Sequence, residues 1–220
     1  MAADKDVYEI ALRFDIEPAS VQSSRTKKDG FAAVVKAAIA RYPFYIVDDV
    51  TLEIEWVLSE KAKYESDKKA DIDNILKPLI DSMTGPDGLL VDDTSVQSLY
   101  CGWLSHTLDT DVVHVRMKSQ KTESISEVAI DRDALIFVET EKSLFMPIDQ
   151  SLPASVNATT LQLMMKRIAI RDHLRTVTGS YGAAQNVMPQ QRYFHKSRIV
   201  KFPHCSVTEF AARIGIPLVP

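Results

Sequence analysis

Cysteine is scarce: Cys101 and Cys205 are the only two among 220 residues, far apart and with no C-x-x-C pair. That excludes a disulfide framework and a zinc finger, and leaves each as an ordinary reduced thiol. No apolar run approaches the roughly 20 residues that span a bilayer. The opening Met-Ala-Ala-Asp-Lys-Asp lacks the basic and apolar regions of a signal peptide. A cytoplasmic chain with no membrane partner is the expectation. Glycine-rich phosphate loops are missing, so no nucleotide cofactor is expected. His106, His114, His173, His195 and His204 show no H-E-x-x-H or comparable spacing, which argues against a histidine-built metal site. Internal repeats and low-complexity tracts are absent.

What is present has the composition of a globular protein, with 45% hydrophobic and 25% charged residues. The net charge of −4 argues against a protein that coats nucleic acid nonspecifically, since such binding needs a basic surface. Cations are nevertheless grouped: Arg25, Lys27 and Lys28 in one stretch, Lys61, Lys63, Lys68 and Lys69 in another. Local groups can steer an anion in a way the mean charge hides.

Apolar and polar residues alternate over Tyr8 to Glu17 and over Val50 to Leu58, the period of a strand with one buried face. Helical spacing appears from Phe31 to Tyr42, ended by Pro43, and again over Ile72 to Met83, ended by Gly85-Pro86-Asp87-Gly88. Ser59 to Lys69 reads as a solvated loop, and strand-like runs follow at Leu89 to Val91, Ser95 to Trp103 and Val112 to Met117. The order β-α-β-α-β-β predicts an α+β fold: a small mixed sheet covered on one face by two helices. Residues 1–118 form this domain, and residues 119–220 a C-terminal α/β extension of unknown role. In the extension, Ser119 to Glu127 reads as a linker, Ala134 to Val138 and Ser143 to Ile148 as a hairpin, and Thr160 to Val177 as a helix with Met164 and Met165 in its core. Gly179 to Gln191 reads as irregular. Val207 to Ile214 is a short helix begun by Ser206, with Glu209 placed for a capping box. Arg192, Tyr193, Phe194, His195, Lys196, Arg198 and Lys201 mix cations with aromatics, which suits nucleic-acid contact but suits a solvated, partly packed tail better.

The chemistry concentrates in Asp71-Ile-Asp73-Asn74-Ile-Leu-Lys77-Pro78 and, about twenty residues on, Asp92-Asp93. On an extended backbone the carboxylates of Asp71 and Asp73 project from the same side and can share a metal. A helix beginning near Asp73 or Asn74 would place Pro78 in its first turns; an earlier start would kink the helix at Pro78. Lys77, four residues after Asp73, would share its helix face, where it could neutralise a phosphate. Asp92 or Asp93 could supply a third carboxylate, and aspartates with open positions suit a hard cation in phosphodiester hydrolysis. By spacing alone, the same residues also read as an N-cap, a turn and a solvated lysine.

The run D-x-D-N-x-x-K in Asp71 to Lys77, followed by Gly88-Leu-Leu-Val-Asp92-Asp93-Thr-Ser-Val96, resembles the signature of the RusA family of Holliday junction resolvases. The resemblance covers roughly residues 7–118; the last hundred residues lie outside it. It implies that Asp71, Asp73 and Asp93 are the metal-binding catalytic carboxylates, that Lys77 is essential beside them, and that Asn74 and Asp92 support them. It implies Mg²⁺ as cofactor, with Mn²⁺ able to substitute, a four-way DNA junction as substrate, and a homodimer whose two-fold symmetry suits paired cuts. Lys68, Lys69, Arg25, Lys27 and Lys28 are the expected DNA contacts. The alternative is a DNA-binding or assembly protein on the same fold that does not cut.

Overall fold

Alternation decides the first sheet. In the computed structural model, which describes residues 8–64, 71–107, 110–188 and 192–216, the strands β1 (Glu9–Phe14), β2 (Phe44–Ile46) and β3 (Val50–Ser59) bury their apolar positions. Along β3 the buried apolar side chains are Val50, Leu52, Ile54, Trp56 and Leu58, one face of a period-two strand. Two helices pack on that face. In α1 (Arg25–Ile39) the buried residues are Phe31, Val35 and Ile39. After the short helix α2 (Glu60–Tyr64), α3 (Ile72–Met83) contributes Ile75, Leu79 and Met83 to the same core. The long strand β4 (Val96–His106) and then β5 (Val112–Ser119) complete a four-stranded sheet ordered β1-β5-β3-β4. Only the β3–β4 pair is parallel, because the chain crosses over through the helices between them; the other pairs are antiparallel. The fold class is α+β, as expected.

The chain divides into two compact units, residues 1–130 and 131–220. The stretch expected as a linker, Ser119 to Glu127, belongs to the first: Ser124 caps a 3₁₀ turn over Ile125–Val128, and Ile125 and the following Val128 insert into the first core. β2 then pairs with β6 (Ala129–Asp131), at the unit boundary. Three other expectations change. α1 starts at Arg25 rather than Phe31, because Ser24 caps it by accepting from the Lys27 N–H at 3.3 Å. Leu89 to Val91 is not a strand; Leu90 alone bridges Ile46 and Thr84. Part of the loop read over Ser59 to Lys69 is α2. Lys68 and Lys69, and the side chain of Lys63, lie outside the described residues.

In the second unit β7 (Leu135–Glu141) and β8 (Leu144–Asp149) form the expected hairpin. Next come α4 (Ala154–Thr178), which starts a turn and a half earlier than its apolar period, and α5 (Tyr181–Gln185), in the stretch read as irregular. β9 (Phe194–His195) and β10 (His204–Ser206) flank the hairpin to give the order β10-β7-β8-β9. The last helix, α6 (Val207–Ile214), carries the predicted capping box: the Ser206 hydroxyl accepts from the Glu209 N–H at 3.2 Å, and the Glu209 carboxylate accepts from the Ser206 N–H at 2.7 Å. Met164 is buried and Met165 half-buried. Among the described residues no helix is long and apolar enough to cross a membrane.

Candidate active site

The N-terminus of α3 carries the motif. Asp71 is the N-cap, with extended backbone (φ −65°, ψ 157°), yet its side chain makes no capping hydrogen bond. A capping role would have engaged that carboxylate with the first-turn N–H groups. Asp73 lies in the first turn, exposed, where a negative charge complements the helix dipole. Because the helix starts at Ile72, Pro78 stands inside it and lacks the N–H that would reach the Asn74 carbonyl. That carbonyl accepts instead from the backbone N–H of Val21 at 2.8 Å. The loop after β1 is thereby tied to the helix that bears the aspartates.

The same loop leads to the cations. The Lys28 ammonium donates to the Val21 carbonyl at 2.6 Å, so a lysine and the Asn74 backbone are bridged by one residue. Lys27 pairs with Glu17 at 3.1 Å, and Arg25, highly exposed, approaches Asp29 at 3.7 Å. All three cations sit in the first turn of α1, which holds no acidic residue. Cations at a helix N-terminus oppose its dipole and cost helix stability. Glu17 and Asp29 offset two of the three charges, and the helix start keeps a net positive character that suits an anion.

The return to Asp92 and Asp93 is fixed by backbone. Gly88 lies against the Met83 and Thr84 backbone so closely that any Cβ would collide with it. The Leu89 and Leu90 N–H groups both donate to the Met83 carbonyl, at 2.9 and 3.0 Å, so the chain folds back tightly on the end of α3. Asp92, buried, accepts from the Thr94 N–H at 3.1 Å and caps the 3₁₀ turn Asp93–Ser95. It is a structural residue of that turn. Asp93 is half-buried and close enough to Lys77 to contribute to its charge state.

Lys77 does not turn back to Asp73. Its ammonium pairs with Asp81, one turn onward, at 3.0 Å. The Asp81 carboxylate holds Lys77 above the usual lysine range, and Asp93 adds a smaller push in the same direction. Asp81 was missed in the sequence, although its position four residues after Lys77 is the signal for such a pair.

The donors suit a divalent cation in kind, being hard carboxylate oxygens beside an available N-cap carboxylate. Among the described residues, however, no three His, Cys, Asp or Glu side chains are gathered into a group that could hold a metal. The structure therefore brings Lys77 toward Asp93 and links Lys28 to Asn74 through Val21, and does not gather Asp71, Asp73 and Asp93 into a group that could hold a metal.

Residues 19–118 match the family model described as Endodeoxyribonuclease RusA, a span that holds every motif residue discussed above. No curated protein matches the chain. Over residues 19–118, just under half of the chain and all within its first unit, the sequence is similar to the RusA family of endodeoxyribonucleases.

Proposed function

We propose that the chain is a divalent-metal-dependent endonuclease that resolves Holliday junctions or other branched DNA by phosphodiester hydrolysis, in recombination and repair. The family match over residues 19–118 carries this reading. Asp71, Asp73 and Asp93 would hold Mg²⁺, with Mn²⁺ able to substitute. The bound cation would supply an activated water and offset charge developing on the phosphate. Carboxylates repel one another unless a cation lies among them, so the three would close together as the ion binds. Lys77, kept protonated by Asp81 and Asp93, would face the phosphate as a fixed positive charge. Asn74 holds the loop after β1 through its carbonyl, and Asp92 shapes the turn that presents Asp93. Arg25, Lys27 and Lys28 would contact the DNA backbone, and Lys68 and Lys69 with them. The chain would act in the cytoplasm.

A homodimer fits one feature of the first unit. β4 is an edge strand of eleven residues without a single charged side chain, and Leu99, Tyr100, Trp103 and Leu104 are exposed on it. Edge strands that stay single are usually guarded by charges or proline. A strand without charge can pair with its own copy across a two-fold axis and meet no like-charge repulsion.

A second reading, a DNA-binding or assembly protein that does not cut, is favoured by the lack, among the described residues, of a group of carboxylates gathered to hold a metal. Cleavage of a synthetic four-way junction against linear duplex, with and without Mg²⁺ or Mn²⁺, separates the two. Metal-dependent cutting of the junction is the expected result; binding without cutting in either metal would leave the second reading standing.

A further inference from the structure

From His173 to Thr208 the chain has no aspartate or glutamate, while it carries Arg175, Arg192, Lys196, Arg198 and Lys201. In a chain with 30 acidic residues and a net charge of −4, this is a local reversal of sign. The cations of 192–204 are not on a loose tail. β9 pairs with β8 and β10 with β7, and Phe194, Ile199 and Phe202 are buried. Phe137 packs edge-on against both Phe194 and Phe202, at ring-centroid distances of 5.3 and 5.6 Å. Between these anchors Lys196–Arg198 form a 3₁₀ turn, and His195, Lys196, Arg198 and Lys201 point to solvent.

The β7–β8 turn lies beside this segment: the Lys196 N–H donates to the Ser143 carbonyl at 2.9 Å, which sets exposed Lys142 next to it. The nearby acids are already engaged. Glu141 chelates Arg171, Glu139 accepts from the Ser143 N–H, and Glu209 caps α6. Lys142, Lys196 and Lys201 have no ion pair among the described residues.

Long cations are expensive to order, and exposed ones normally remain solvated. Here the backbone that bears them is pinned by buried aromatics, so meeting an anionic polymer would cost side-chain entropy but little further backbone entropy. We propose that the surface formed by Lys142, Lys196, Arg198 and Lys201 on the second unit binds the phosphate backbone of the DNA substrate. This rests on the nuclease reading and gives the last ninety residues a task within it.

The test uses the full chain and a synthetic four-way junction without added divalent metal, so that binding is read apart from cutting. Affinity is measured across a series of NaCl concentrations for the parent, for the triple variant Lys142→Gln, Lys196→Gln, Lys201→Gln, and for the matching triple Lys→Arg variant. Each lost phosphate contact lowers the salt slope by about 0.9. The Gln variant is expected to lose about 2 to 3 from the slope and about ten- to a hundredfold in affinity at low salt; the Arg variant should keep both. Parental slope and affinity in the Gln variant, or an equal loss in the Arg variant, would overturn the proposal. A parent that binds the junction but cuts nothing when Mg²⁺ or Mn²⁺ is added would refute the nuclease reading and leave the DNA-binding surface intact.

Discussion

The Val21 N–H donates to the Asn74 carbonyl at 2.8 Å, and that carbonyl is free to accept because Pro78, four residues on, has no N–H to offer. A helix defect and a loop anchor are the same hydrogen bond. It fixes the segment that carries Lys28 against the segment that carries Asp73.

Replacing Pro78 with alanine restores a helical donor that competes with Val21. Hydrogen exchange should show the Val21 amide opening about tenfold more readily, the equivalent of one ordinary hydrogen bond. An unchanged Val21 amide would mean that the loop is held by other contacts.

Asp73→Asn removes a charge from an exposed first-turn position. Thermal stability and junction affinity should change little, while metal-dependent cleavage should fall by about a hundredfold or more. A variant that cuts at the parental rate would take Asp73 out of the catalytic set.

Tyr100→Glu together with Leu104→Glu places charge on the bare edge of β4, where both side chains are exposed. Antiparallel pairing with a second copy would then bring like charges together, so if the proposed dimer forms through β4, sedimentation should show a dimeric parent and a monomeric variant. Identical sedimentation of parent and variant would move the interface elsewhere or remove it.

Arg171 links α4 to the end of β7 by donating to both Glu141 oxygens at 2.9 Å and to Asp172 at 2.7 Å. Its side chain is only 10% exposed, whereas Glu141 and Asp172 are 37% and 56% exposed. Arg171→Met should cost about 1–3 kcal/mol in urea unfolding, below the penalty for a fully buried pair because both carboxylates can turn to water.

Burial pushes the Tyr193 phenol up to about 12, which gives a pH signature. An unfolded tyrosine ionises near pH 10, so the folded chain binds the extra proton between about 10 and 12. The stabilisation from Tyr193 is therefore complete below about pH 10 and disappears as pH climbs through that window. Tyr193→Phe should flatten the loss when unfolding is followed from pH 9 to pH 12; an unaltered profile would place the sensitivity elsewhere.

Elements whose burial is regular were plain in the residues. β1, β3 and α3 show their periods, and Ser206 with Glu209 announced α6. Elements held by something other than a period were not. α1 gains its first turns from the Ser24 cap, and those turns carry cations where apolar residues would have signalled a helix. β2 has three residues, all buried, too few to show a period. β4 was legible as a strand, but its place at the sheet edge was not, because its exposed apolar side chains mimic burial. In the candidate site, residue types and spacing were legible because they lie close along the chain. The partner chosen by Lys77 was not, since Asp73 and Asp81 stand one turn to either side of it and only the folded geometry selects Asp81. The Val21 contact was hidden as well, because it joins two backbones and involves no side chain.

Asp71 through Asp93 is one uninterrupted run of 23 residues, closed by a turn in which Gly88 leaves no space for a side chain. In the proposed nuclease, Asp71, Asp73, Lys77 and Asp93 all fall within this one run, so their arrangement does not depend on remote loops agreeing in position. It can be inherited, grafted or lost as one cassette, and a lone substitution of Gly88 should misalign all of it together.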